Sequence, residues 1–266
     1  MLLNISPDHL ERHGGLEGYV HAKELVFKNK KKHLKAVVGV DDPLCLEIFQ
    51  RLQSKNENTV IPISGQKHLE AGVFSYRGIL EYRLDPAHRF SLSFQDNPAL
   101  KDQHNDQNAA AAYGVLRLLG FSGAQIKASE GFCTFKGVPH RQEWIASVAG
   151  VGYVYDSKTT NAEAVACALK AYGLGSVPPH TIYWIAGGRP KEASLEGLQS
   201  FWTHIEGAFS IGEATEVFGQ ILAAHCVPYQ INHTLEEACL QATQQARRHQ
   251  KLNPLVLLSP VCTSFD

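Results

Sequence analysis

The sequence has 266 residues, enough for one large or two medium-sized domains, and its 44% hydrophobic and 19% charged residues are typical of a soluble globular protein. A formal net charge of −1 argues against general nucleic-acid binding and against a membrane-surface role. The six cysteines are scattered without a C-x-x-C pair, which indicates reduced thiols in a cytoplasm rather than disulfides or a zinc site. No apolar run approaches the ~18 residues of a membrane span, and the N-terminus does not resemble a signal peptide.

The first half of the chain predicts a mixture of helices and strands. Its opening residues, MLLNI, have the character of the tail of a buried strand, and we expect the first ~35 residues to be weakly anchored because buried strands need partners. In the helix LEGYVHAKELVF, the spacing places Lys23 on the same face as Tyr19 and Phe27. Pro62 predicts that the strand NTVIPIS lies near a sheet edge. The other predicted elements are a helix start at Ser6-Pro7-Asp8, the strand AVVGVD, the helix DPLCLEIFQRLQS, antiparallel hairpins from Ala71 to Phe94, and the helices HNDQNAAAAYGVLRLLG and SGAQIKASEGF.

The second half predicts a regular alternation of strands and helices. EWIASVAGVGYVYD is typical of a hairpin around Gly150 and Gly152. The elements after it are the helix Asn161–Tyr172, the strand TIYWIAGG, the helix SLEGLQSFW, the strand GAFSIGEA, the helix EVFGQILAAH, the strand VPYQI, the helix LEEACLQATQQARRH and the strand PLVLLSP. Such alternation predicts a mostly parallel α/β sheet with right-handed crossovers. We expect the domain boundary near Lys136–Val138, giving domains of 1–136 and 137–266.

Three polar clusters follow strands of the second half, at Asp156–Asn161, Gly187–Lys191 and Ser259–Asp266. Ligands of parallel α/β sheets bind beyond the carboxyl ends of the strands. We therefore expect these clusters to lie together at one edge of the sheet.

Taken singly, the motifs of the first half have both structural and functional explanations. Lys23 is either a lysine extended along the domain edge, or a partly buried amine whose lowered pKa lets it take up carbon dioxide as a carbamate and bind magnesium near His9. HNDQNAAAA is either a capped helix start or a nucleotide contact through Asn105 and Asn108. Arg141, in PHRQE, is either a surface residue or a phosphate ligand.

The motifs of the second half also have both structural and functional explanations. DSKTTN is either a turn whose Asn161 caps the next helix or a carboxylate-binding segment containing Lys158. GGRPKEA is either a turn or a loop in which Gly187 and Gly188 let the backbone approach a ligand while Lys191 supplies charge. The sequence contains no G-x-x-x-x-G-K-[ST] phosphate-binding loop and no H-E-x-x-H metal motif.

Seven segments together are more informative: LLNISPDHLERHGGLEGYVHAK, VGVDD, HNDQNAAAA, PHRQE, YDSKTTNAEA, IAGGRPKE and LLSPVCTSFD. In this order they resemble the Mur ligases of peptidoglycan synthesis, most closely the group that joins D-glutamate to UDP-N-acetylmuramoyl-L-alanine. The resemblance covers nearly the whole chain, and DSK-x-TN and LLSP-x-C-x-SFD are its specific motifs. It implies an α/β fold: an incomplete central ATPase domain over 1–136, then a Rossmann-like, mostly parallel C-terminal domain over 137–266 that lacks its last helix.

The resemblance also implies a reaction and its cofactors, ATP and Mg²⁺. The substrate carboxylate would accept the γ-phosphoryl group of ATP, and the amine of D-glutamate would attack the resulting acyl phosphate. Such chemistry depends on positioning and on magnesium. The family works in the cytoplasm, on small-molecule substrates rather than on nucleic acid or membranes.

Individual residues acquire roles through this resemblance. His9 and a carbamylated Lys23 would be the catalytic, magnesium-binding pair. The expected ATP contacts are Asn105, Asn108, Arg141 and Asp156. The expected D-glutamate contacts are Lys158, Thr160, Lys191, Ser264 and Phe265. Thr159 stands where the family usually has alanine, and we expect this change to have little effect.

The chain departs from the family pattern at its ends. The family's UDP-binding domain, its P-loop and its last helix have no counterpart in this sequence. We expect the 266-residue chain alone to be inactive, because the phosphates of ATP would lack their main cradle. The alternatives are half of a split ligase, completed by a separate chain with the UDP-binding domain and P-loop, or a non-catalytic remnant that only binds ligand.

Overall fold

A computed structural model describes residues 1–6, 10–28, 34–55, 58–85, 89–100, 103–175, 178–189 and 194–262. The chain divides into two compact units, residues 1–136 (unit 1) and 137–266 (unit 2). Each unit contains a β-sheet with helices packed against it. None of the helices in these ranges has both the length and the apolar character needed to cross a membrane.

Unit 1 is built on a five-stranded mixed sheet in the order β1-β2-β3-β4-β5. Strands β1 to β3 are parallel, and β3 to β5 form the predicted antiparallel hairpins. The strands are β1 (Lys35–Gly39), β2 (Thr59–Ser64), β3 (Val73–Tyr76), β4 (Ile79–Tyr82) and β5 (Phe90–Ser93). The helices are α1 (Leu10–His13), α2 (Leu16–Glu24), α3 (Pro43–Gln53), α4 (Gln103–Leu118), α5 (Gly123–Ala128) and α6 (Gly131–Thr134), with 3₁₀ turns at Leu25–Phe27 and Pro98–Leu100.

Two helices cover the two faces of this sheet. On one face α4 packs against Val37 and Leu80, and its alanine-rich first half allows close approach. On the other face Ile48 of α3 lies in a core with Val38. Helix α3 begins where Asp42 caps it, since the carboxylate accepts a 2.8 Å hydrogen bond from the amide of Cys45.

The structure corrects two expectations about unit 1. Strand β2 lies between β1 and β3 rather than at an edge, and Pro62 is tolerated there because pairing with β3 begins only at Ile63. The first residues are better anchored than predicted. Leu2 exchanges two backbone hydrogen bonds with the outer side of β1, and Ile5 and Phe27 are buried.

Unit 2 is built on a six-stranded sheet in the order β10-β9-β8-β11-β7-β6, parallel except for β6 at one edge. The strands are β6 (Glu143–Val148), β7 (Val151–Tyr155), β8 (Thr181–Gly187), β9 (Ile205–Ile211), β10 (Tyr229–Ile231) and β11 (Pro254–Val261). The helices are α7 (Ala162–Leu169, continued by a π-helical turn at Lys170–Leu174), α8 (Thr215–Ala224) and α9 (Leu235–His249). The mostly parallel α/β arrangement predicted for this half is confirmed.

The sheet of unit 2 is buried on both faces. Trp184 and Leu257 face a core shared with α7 and α8, while Tyr183 and Phe209 face α9. One predicted helix is wrong: in SLEGLQSFW only a 3₁₀ segment forms, Gln199–His204. Gly197 has a φ of 88°, a left-handed conformation that ends a helix.

Candidate functional site

Asp156 lies at the carboxyl end of β7 and joins three segments of unit 2. Its backbone N–H donates to the carbonyl of Leu258 in β11 (2.9 Å). One carboxylate oxygen accepts from the backbone N–H of Gln142 (3.1 Å), and the other accepts from the hydroxyl of Ser259 (3.1 Å). The buried side chain of Thr159 also acts on this carboxylate and lowers its pKa. Asp156 is thus an internal junction, only 4% exposed.

Opposing effects act on the pKa of Asp156, and their net result is a pKa above its usual value. Burial raises the pKa of Asp156 because it penalises the charged carboxylate. Hydrogen bonds from Thr159, Gln142 and Ser259, and then the charge of Arg141, oppose this effect and lower the pKa. The hydroxyl and amide partners therefore limit how far burial raises the pKa of Asp156.

Arg141 lies in a strained loop, residues 138–142, which we call the Arg141 loop. His140 and Gln142 on either side of Arg141 have φ values of 65° and 45°, which non-glycine residues seldom adopt. Besides Asp156, the loop is held by the carboxylate of Glu143, which accepts from the N–H of His140 (2.8 Å), and by the N–H of Lys158, which donates to the carbonyl of His140 (3.2 Å). The side chain of Arg141 is exposed.

The turn after β7 places its residues in different environments. Lys158 is exposed and Thr160 is half-buried, whereas Thr159 is buried at 4% exposure. Asn161 caps α7, because its side-chain oxygen accepts from the amide of Ala164 (2.8 Å). Thr159 is held beside Asp156, because its backbone N–H donates to the Asp156 carbonyl (3.1 Å), and the expectation that its replacement of alanine has little effect stays a prediction.

The loop after β8 begins with a glycine that the packing requires. Gly187 has a φ of 123°, and a Cβ there would collide with the carbonyl oxygen of Ile211 in β9. The next residue, Gly188, donates from its N–H to that carbonyl (2.9 Å). The carboxyl ends of β7, β8, β9 and β11 therefore lie at one edge of the sheet, as predicted. Lys191, Ser264 and Phe265 fall outside the described residues.

In unit 1, the predicted nucleotide contacts lie near the start of α4. Asn105 donates from its amide to the carbonyl of Ala99 (3.2 Å), and the amide of Asn108 donates to the side-chain oxygen of Asn105 (3.4 Å). Asn108 is exposed. Asp106 between them is buried and anchors this turn, because its carboxylate accepts from the hydroxyl of Ser75 (2.5 Å).

A second anchoring carboxylate, Asp41, follows β1. It accepts from the hydroxyl of Ser64 (2.6 Å), the amide N–H of Gly65 (2.8 Å) and the side-chain amide of Gln107 in α4 (3.2 Å). The sequence singled out the segment VGVDD but assigned Asp41 no role. An aspartate directly after a buried strand is the signal that could have found it.

The predicted magnesium pair is described only in part. Lys23 is exposed rather than partly buried, and its ammonium lies 5.0 Å from the centre of the Tyr19 ring. No residue of α2 is fully buried, and only Tyr19 and Val20 of this helix pack, partly buried, against the core of α3 and β1, which is why the spacing misplaced Lys23. His9 is outside the described residues. Within those residues, no group of three histidine, cysteine or acidic side chains could hold a metal ion.

Comparison with known proteins gives sequence matches to Mur ligases. Residues 1–116 match the model of the Mur ligase middle domain. A UDP-N-acetylmuramoylalanine–D-glutamate ligase of Phenylobacterium zucineum is 39% identical over 266 residues, and one of Caulobacter vibrioides is 40% identical over 271 residues. Residues 1–116 therefore belong to the Mur ligase middle-domain family, and the whole chain aligns with these two ligases.

Solved Mur ligase structures share the fold. MurF from Acinetobacter baumannii matches with a TM-score of 0.68 at 18% identity, over 98% of this chain and 56% of that one. The UDP-N-acetylmuramate-alanine ligase MurC from Thermotoga maritima matches with a TM-score of 0.61 at 15% identity, over 99% of this chain and 56% of that one. All of this chain aligns with the two curated Mur ligases, but it spans only 54% of their length.

Proposed function

We propose that this chain is part of an ATP-dependent amide ligase that joins D-glutamate to UDP-N-acetylmuramoyl-L-alanine. Alignment of the whole chain with ligases of that name supports the assignment. On this proposal, unit 1 is the C-terminal part of the central ATP-binding domain and unit 2 is the C-terminal domain. The observation that carries it is the Asp156 junction, which holds the Arg141 loop and the turn of Lys158 at the carboxyl edge of one sheet.

The proposed roles divide between nucleotide and amino acid. The exposed guanidinium of Arg141 suits a phosphate of ATP, for which its planar fork of donors is well shaped. Asn105 and Asn108 are the proposed ATP contacts of unit 1. In unit 2, buried Asp156 would serve ATP binding through the Arg141 loop that it holds. The exposed ammonium of Lys158 suits a carboxylate of D-glutamate, with Thr160 beside it and with Lys191, Ser264 and Phe265 as further contacts.

Magnesium would be held by His9 and carbamylated Lys23 in this proposal. Its chemistry would be to neutralise charge on the transferring phosphoryl group. Carbamylation adds one carbon dioxide to the lysine amine with loss of a proton; Lys23 lacks the partial burial that was expected to favour this step, so the step needs a direct test. A mass increase on Lys23 in bicarbonate buffer, absent in Lys23→Arg, would support this step.

Binding to the chain alone tests the amino-acid site. We expect D-glutamate to shift backbone NMR signals of the turn at 156–161, and L-glutamate to shift them less. Lys158→Met should weaken D-glutamate binding about tenfold or more, because a hydrogen bond to a charged group is lost. Lys127→Met, at an exposed position of unit 1, is the matched control. Equal affinity of Lys158→Met and the unmodified chain would refute the assignment.

Turnover is a separate test, because the chain contains no P-loop. The chain alone should release no phosphate from ATP in the presence of D-glutamate and UDP-N-acetylmuramoyl-L-alanine. Addition of the preceding region of the Caulobacter vibrioides relative, as a second polypeptide, should restore release if the chain acts as half of a split ligase. Glutamate binding without restored release would favour the remnant that only binds ligand.

A further inference from the structure

Two buried hydroxyl groups share one carboxylate in unit 2. Ser259, in β11, is fully buried and donates to one oxygen of Asp156 (3.1 Å), while its own carbonyl accepts from the indole N–H of Trp184 (2.9 Å). Thr159, in the turn after β7, is 4% exposed, and its backbone N–H donates to the Asp156 carbonyl (3.1 Å). The Thr159 hydroxyl lowers the pKa of the Asp156 carboxylate. Hydroxyl groups from two separate segments thus act on the same Asp156 carboxylate.

Asp156 in turn acts on the Arg141 loop. Its other carboxylate oxygen accepts from the backbone N–H of Gln142 (3.1 Å), the residue directly after Arg141. Gln142 has a left-handed φ of 45°, a conformation that costs a non-glycine residue energy and needs support from its surroundings. A negative carboxylate is a stronger acceptor for that N–H than a neutral carboxyl group.

We propose that Thr159 and Ser259 are positioning residues, whose hydroxyl groups support the Asp156 carboxylate so that it holds the Arg141 loop in its nucleotide-binding conformation. The nucleotide part of this inference rests on the proposed function, whereas the chain of contacts from hydroxyl to carboxylate to loop does not. Thr159 gains a role that its place in the motif did not suggest.

The electrostatics agree with this arrangement. Burial raises the pKa of Asp156, and the two hydroxyl donors, the Gln142 N–H and the Arg141 charge lower it. Among the described residues, Arg141 is the charged group that acts on Asp156, and the segments on its other sides contribute neutral hydroxyl donors. Removing either hydroxyl must therefore move the ionisation of Asp156 to higher pH.

Thr159 offers a matched pair of substitutions. Thr159→Val keeps the shape and removes the hydroxyl, whereas Thr159→Ser keeps the hydroxyl. The amide signal of Gln142, followed by ¹⁵N NMR across an acid-to-neutral titration of the full chain, reports the charge of Asp156. Loss of the titration step in Asp156→Asn assigns it.

The titration midpoint should rise in Thr159→Val and in Ser259→Ala, and should stay near the unmodified value in Thr159→Ser. Thr181→Val, at the amino end of β8 and so at the opposite edge of the sheet, should also leave the midpoint unchanged. An unchanged midpoint in Thr159→Val and Ser259→Ala would overturn the proposal, even if both variants are less stable, because a purely structural role predicts that result.

ATP binding separates this inference from the proposed function. If the chain binds ATP, Thr159→Val should weaken binding about tenfold at a pH between the two midpoints, and Thr159→Ser should not. Equal ATP affinity of all variants at that pH would overturn the positioning role. If the unmodified chain does not bind ATP, the proposed function fails, and the titration midpoints still decide whether the hydroxyl groups control Asp156.

Discussion

Replacing Asp106 by alanine should destabilise unit 1 by about 3 kcal/mol, because it leaves buried donors without an acceptor. The carboxylate accepts from the hydroxyl of Ser75 (2.5 Å) and from the backbone N–H groups of Gly78 and Arg77 (3.0 Å each). Arg77 is exposed, so its N–H can bond to water, but Ser75 and Gly78 are buried. Each buried orphan costs about 1–3 kcal/mol, which sets the expected total.

Asp106→Asn gives a graded version of the same test. The asparagine keeps one oxygen acceptor but turns an N–H₂ group toward backbone donors. The loss of unfolding free energy should therefore be smaller than in Asp106→Ala, about 1–2 kcal/mol. His104→Ala changes an exposed residue in the first turn of the same helix and should cost less than about 0.5 kcal/mol. Urea unfolding measures the three losses, and hydrogen exchange at the Gly78 amide locates them.

The reasoning would be refuted if Asp106→Ala lost less than about 1 kcal/mol while exchange at Gly78 stayed slow. A positive result would also bear on ligand binding. Asp106 lies between Asn105 and Asn108, so loosening the start of α4 should displace both proposed nucleotide contacts.

Other expected outcomes test the core, a helix cap and a thiol. Phe218→Ala should cost about 3–5 kcal/mol in urea unfolding, since Phe218 is fully buried; Val217→Ala, 40% exposed, should cost far less. Asp42→Ala should cost about 1 kcal/mol by removing the cap of α3, and Asp42→Ser should recover most of it. Burial raises the pKa of Cys45 to about 12, so at pH 8 the native chain should react with a thiol reagent at exposed Cys133 and not at Cys45; equal rates would contradict this.

Elements with a strong local pattern were predictable from the sequence. Helix α9 covers the predicted stretch, Leu235–His249, because a threonine cap and a regular apolar spacing both act within one helix. The hairpin of β6 and β7, and the alternation of strands and helices after it, were also predictable, because their patterns are local in the sequence too. Once strands alternate with helices, the parallel sheet and its single carboxyl edge follow from the handedness of crossovers.

The misses concern contacts between segments distant in sequence. The pattern around Lys23 is helical, but which side of α2 is buried depends on neighbours from α3 and β1. Pro62 is compatible with an inner strand only because pairing with β3 begins one residue later. Neither the packing neighbours of α2 nor the point at which β2 begins to pair with β3 can be read from the local sequence.

In the candidate site, the sequence determined which polar residues follow which strands, and hence that the clusters beginning at Asp156 and Ser259 were expected at one edge of the sheet. Only the tertiary structure decided what they do there. Ser259 lies 103 residues beyond Asp156, yet donates to its carboxylate, and Thr159 turns inward to the same group while Lys158 remains exposed. Side-chain type and spacing fix which donors and charges are available. Burial and the choice of partner arise from long-range packing. A buried charge is costly unless it is hydrogen-bonded, so its free energy depends on the particular neighbours that packing brings to it.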